Sequence, residues 1–60
     1  MYERRIEYDR ETRDYAMYIK AALSSDWELV GFARTYREAE ITLDQLIFEL
    51  MSGQFFRDSA

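Results

Sequence analysis

Residues 35–51 constrain this chain more than any other stretch, because they read as one amphipathic helix with a marked beginning. Thr35 followed by Glu38 is a Thr-x-x-Glu capping box. In it the hydroxyl and the carboxylate each satisfy a backbone N–H that the first turn leaves unpaired. Beyond that start, Tyr36, Ala39, Leu43, Leu46, Ile47, Leu50 and Met51 recur at spacings of three and four. That is the signature of one apolar stripe on a helix of 3.6 residues per turn. Gly53 supplies a residue suited to the left-handed conformation just past a helix end, and Phe55 is placed to fold back on it as an apolar contact. A helix with one apolar face needs a second layer to cover it.

The rest of the chain offers strands for that layer. In residues 2–8, Tyr2, Ile6 and Tyr8 alternate with Glu3, Arg5 and Glu7, and only Arg4 breaks the pattern. A period of two with aromatic and β-branched residues predicts a half-buried strand. Asp9, Arg10, Glu11 and Thr12 then form a polar cluster of the kind that turns a hairpin. Residues 13–23 fit two templates. As a strand, Tyr15, Met17 and Ile19 share one face and Ala16, Tyr18 and Lys20 the other. As a helix, Tyr15, Tyr18, Ile19, Ala22 and Leu23 fall on one side. Residues 28–34 read as extended and need a partner for their backbone groups, which favours the strand. Leu29 and Ala33 are then expected on one face of this third strand, with Val30 and Phe32 on the other. Gly31 marks a close approach of backbone. The predicted fold is α+β, a three-stranded antiparallel meander with one C-terminal helix packed on it. The alternative makes residues 10–23 helical, an α-β-α arrangement completed by dimerisation. Either way residues 1–60 form a single small domain, with 57–60 expected as a mobile tail.

Sixty residues bury only about 60% of the surface their unfolded chain exposes, so stability needs help from a dense core or from oligomerisation. Cysteine and histidine are both absent, which removes disulfides and the commonest zinc ligands. Hydrophobic residues make up 48% of the chain and aromatics 17%, enough to argue against disorder. No apolar run approaches the roughly 20 residues that span a bilayer, and the first residues lack the core of a signal peptide. The expected setting is cytoplasmic, with no membrane partner. The net charge of −4 is uneven: residues 1–20 carry five acids and five bases, residues 21–60 seven acids and three bases. Nucleic-acid binding by phosphate neutralisation calls for the opposite balance.

A Gly-Phe strand end (Gly31, Phe32) running into Thr35, Glu38 and Ala39 after three strands resembles the small N-terminal DNA-binding domain of phage and transposon tyrosine integrases. The same strand order and helix start occur in small antitoxin subunits of the HicB type. The integrase resemblance implies a sheet facing the DNA major groove with basic side chains, here Arg4, Arg13, Lys20 and Arg34. Glu3, Glu7, Asp14 and Glu28 are interleaved with them, a departure from the family pattern that weighs against DNA as the ligand.

Catalytic chemistry finds few parts. Without histidine or cysteine, a base or nucleophile would come from carboxylates, serine, tyrosine or the single lysine, Lys20, and two glycines cannot build a phosphate loop. We expect no enzyme and no cofactor. Asp9, Glu11 and Asp14 lack the turn glycine and bidentate glutamate of a calcium loop, so a solvated turn is expected rather than a metal site. Glu38, Glu40, Asp44 and Glu49 read as the solvent side of the helix. The five tyrosines read as sheet and core residues, and Arg4, Arg5, Arg10 and Arg13 as members of cross-strand ion pairs.

More informative is a surplus of apolar surface. Ile41 and Phe48 lie roughly 100 to 150 degrees from the centre of the helix stripe and cannot share its core. One helix covers one face of a sheet, yet the second and third strands are apolar on both. Ile41, Phe48, Tyr18, Val30 and Phe32 are therefore the predicted partner interface. The expected function is a non-enzymatic, self-associating protein-interaction module: a homodimer or small oligomer, or a small acidic phage or mobile-element protein that inhibits another protein or acts as an antitoxin. The alternative is a nucleic-acid-binding domain using Arg4, Arg13, Lys20 and Arg34.

Overall fold

In the computed structural model, which describes residues 1–52, the chain runs β1 (Tyr2–Asp9), β2 (Asp14–Ala21), β3 (Glu28–Ala33) and α1 (Tyr36–Ser52). The three strands form one antiparallel sheet in the order β1-β2-β3, with α1 across one face. This is the α+β meander that the pattern predicts. Residues 14–21 are strand rather than helix because β2 is central, and pairing on both sides satisfies backbone groups that local propensity leaves undecided. The expected helix stop at Gly53 and Phe55 and the tail at 57–60 lie outside the described residues.

The β1-β2 hairpin runs without a shift from Tyr2 opposite Ala21 to Asp9 opposite Asp14. Its loop is closed by short-range bonds. The Arg13 N–H donates to the Asp9 carbonyl (2.8 Å) and the Glu11 N–H to Asp9 Oδ1 (2.9 Å). Arg13 takes φ 61°, a left-handed conformation that costs a residue with a Cβ about 1–2 kcal/mol. The register places Tyr2, Arg4, Ile6 and Tyr8 on the same face as Tyr15, Met17 and Ile19. This explains the one break in the β1 alternation. Arg4 lies on the helix side and reaches across to α1, donating to the Glu40 carbonyl (3.3 Å) and pairing with Asp44 (2.9 Å).

β3 departs from the sequence expectation. Gly31 pairs with Met17 but Leu29 pairs with Tyr18, so Val30 is an extra residue opposite the Met17/Tyr18 step, a β-bulge. One inserted residue shifts the two-residue period, so Leu29 joins the face of Phe32 instead of that of Ala33. The close neighbour at Gly31 is a side chain rather than the backbone expected: a Cβ there would meet Met17 Cε at 3.3 Å.

The helix begins as the capping box predicts, with one difference. The Glu38 N–H donates to Thr35 Oγ1 (3.0 Å), while Glu38 Oε1 accepts from the N–H of Arg34 (3.3 Å), one residue before the cap. Only the middle of the apolar stripe is fully covered. Ala39 and Leu43 are buried against Met17, with Ile6, Tyr15 and Ala33 around them. Leu46, Ile47 and Leu50 are half-buried, and Tyr36 and Met51, expected in the stripe, are exposed. Tyr36 still packs edge-on against Tyr15 (5.9 Å), which meets Tyr8 across the hairpin (5.2 Å).

With so small a centre, Leu43→Ala should cost about 2–4 kcal/mol in urea unfolding followed by circular dichroism, a large share of what a domain of this size has. Arg13→Gly should instead gain about 0.5–1 kcal/mol, since glycine relieves the left-handed strain; a loss of stability would contradict the loop geometry.

Candidate interaction surface

The sheet face away from α1 divides into two halves of different chemistry. On the β1 side Glu3 stands opposite Lys20, Arg5 opposite Tyr18 and Glu7 opposite Ala16. Lys20 Nζ pairs with Glu3 (3.4 Å) and Arg5 with Glu7 (3.5 Å). Trp27, from the loop after β2, carries the Arg5 guanidinium at 5.1 Å and the Lys20 ammonium at 5.6 Å from its ring centre. Lys20 and Arg5 are thus each paired with a carboxylate, and both lie over the indole. The expected arginine cross-strand pairs are replaced by other geometry: Lys20 makes the cross-strand pair, Arg5 pairs within its strand and Arg4 pairs with the helix.

The β3 side is apolar. Leu29 is 50% exposed and Phe32 46%, with Ala16, the partner of Phe32, buried; Val30, unpaired at the bulge, is 38% exposed. At the end of β3 this surface turns into a groove against the start of α1, lined by Phe32, Ala33, Arg34, Glu38, Ile41 and Thr42. Of the predicted interface residues, Phe32 and Ile41 thus share one groove, Val30 lies at the bulge beside it, and half-buried Tyr18 faces Leu29 across the strands. Phe48 is not part of this patch. It is 66% exposed, in a separate hollow with Asp44, Gln45 and Glu49, two turns along the helix from Ile41. Leu29 is the residue that sequence reasoning missed, because alternation grouped it with Ala33, which the structure places on the helix side. The available signal was Gly31, since glycine inside a strand often accompanies a bulge.

The four basic residues of the alternative reading do not share a surface. Arg4 is on the helix side and engaged with Asp44. Lys20 is on the opposite face, its side chain only 14% exposed, donating to the carbonyls of Ser24 (3.0 Å) and Ala21 (3.4 Å). Arg13 is in the hairpin loop and Arg34 in the β3-α1 junction. Three of the tyrosines, Tyr8, Tyr15 and Tyr36, pack on one another on the helix side. Of the acids at the first hairpin, Asp9 and Asp14 are the paired strand ends and Glu11 lies in the turn between them, its amide held by Asp9. Among the described residues no group of three or more metal-ligating side chains is brought together, and no helix is long and apolar enough to cross a membrane.

Family models, curated proteins and solved structures were all compared with the chain, and none matches it. The surface therefore has to be read from its own chemistry. A gel-shift titration against duplex DNA at low salt should show no complex. A shift that salt abolishes would instead support the dispersed arginines acting together.

Proposed function

We propose that this is a non-enzymatic protein-interaction module that associates with itself, acting in the cytoplasm. The observation that carries this reading is the group of exposed apolar residues Leu29, Val30 and Phe32 on β3, with Ile41 sharing a groove with Phe32, beside a buried cluster that among the described residues is Met17, Ala39 and Leu43. Single exposed hydrophobes are ordinary, but a run of neighbouring ones is a place where water is displaced by a partner. Covering it supplies the stabilisation that a 60-residue chain without disulfide or metal lacks. Phe48 adds a second, isolated apolar point on the helix, available to a further partner.

The biological setting we propose is a small acidic accessory protein of a phage or mobile element, an inhibitor or an antitoxin. It rests on size, acidity and the integrase-like junction at Gly31, Phe32, Thr35, Glu38 and Ala39.

Sedimentation velocity at tens of micromolar should give more than one chain mass. Phe32→Glu combined with Ile41→Glu should return the protein to a monomer with an unchanged far-ultraviolet spectrum. A single chain mass for the unmodified protein across that range would end the self-associating reading.

A further inference from the structure

We infer that the C-terminal half of α1 docks a cationic segment of another protein, one that lays an apolar side chain on Phe48 and brings a lysine or arginine to Glu49. This rests on the interaction-module reading above and names the chemistry of the further partner at Phe48. Phe48 is 66% exposed, in a hollow that it shares with Asp44, Gln45 and Glu49. Met51, three residues on and so its neighbour on the helix surface, is 57% exposed. Ala39 and Leu43 are the residues that close α1 onto the sheet, so Phe48 and Met51 are surplus to that contact. Apolar side chains at such spacing are what one helix offers to another.

Charge selects the occupant, and it separates this site from the groove at Phe32 and Ile41. That groove is lined by one cation and one anion, Arg34 and Glu38, a balance that admits a second copy. The hollow at Phe48 is lined by two carboxylates and no base. Asp44 already holds Arg4 at 2.9 Å, whereas Glu49 has no ion-pair partner among the described residues. Residues 44–52 contain no lysine or arginine, and the last turn of α1 has no base to offset the negative end of the helix dipole. A second copy, itself at net charge −4, is repelled from such a site. A segment that carries a cation beside its apolar anchor is drawn to it, with Glu49 as the charge it answers.

The test uses the full chain and a labelled helical peptide of about 14 residues, with leucine along one face and arginine flanking it, read by fluorescence anisotropy at low salt. A control peptide has glutamine in place of every arginine. The arginine peptide should bind and the glutamine peptide should not. Phe48→Ala and Glu49→Lys should each weaken binding about tenfold or more, while Phe32→Glu combined with Ile41→Glu should leave it unchanged. Circular dichroism of each variant separates lost binding from lost fold. No binding, equal binding of the glutamine peptide, or binding unmoved by Phe48→Ala overturns the proposal. So does a fall in the self-associated mass with Phe48→Ala, which would give the hollow to a second copy. Binding to Arg57→Glu but not to the unmodified chain would give it to the chain's own Arg57, and overturns it as well. Self-association is read separately, from sedimentation of the unmodified chain: a monomer that binds the arginine peptide through Phe48 ends that reading alone.

Discussion

The packing of Ala39 and Leu43 against Met17 is the contact on which the rest of this structure depends. Among the described residues it alone closes the helix onto the sheet with side chains fully removed from water, and Leu43 is the one large side chain that is wholly enclosed. Burying a leucine completely is worth about 1.5–3 kcal/mol. Small residues make the contact possible. Ala39 lets the helix axis come close, and Gly31 leaves room for the Met17 methyl that fills the gap beneath. Around this centre the helix is tied at its edge by Arg4 reaching over from β1, and at its start by the Thr35 and Glu38 bonds. A domain built on so narrow a seam has little margin, and what it leaves uncovered becomes as consequential as what it covers.

What it leaves uncovered is not random. Charged groups on the β1 half of the outer face are matched in pairs and collected around Trp27, while the β3 half is left apolar. The bulge at Val30 sharpens this division. By shifting the strand phase it turns Leu29 away from the helix and onto the face of Phe32, concentrating the apolar surface on one side of one edge. Bulges at sheet edges commonly re-aim side chains in this way. The same strand thus provides both an apolar face and an edge with almost no charge on it.

Much of the architecture is legible in the sequence because it is written locally. The capping box, the spacing of Ala39 and Leu43 and the β1 alternation each announce their element within a few residues. β2 was legible only through its neighbours, because residues 13–23 suit helix and strand alike and the two flanking strands decide the outcome. Two features lay beyond local reading. Arg4 looked like an error in the alternation until the helix supplied Asp44 as its partner 40 residues later. Leu29 was assigned the wrong face because strand phase is set by pairing, and the pairing contains an extra residue. For the surface, exposure of Phe32, Ile41, Val30 and Phe48 followed from counting how little one helix can cover. Phe48 standing apart from the others needed the three-dimensional arrangement.

The central proposal is that the exposed apolar residues of β3 and Ile41 are covered by another molecule of the same chain. Amide hydrogen exchange, followed residue by residue over a hundredfold range of protein concentration, tests it most directly. Amides of β3 and of the first turns of α1 around Phe32 and Ile41 should gain protection as concentration rises, while the outer amides of β1 stay fast throughout. Equal and concentration-independent exchange along both edges would contradict the account.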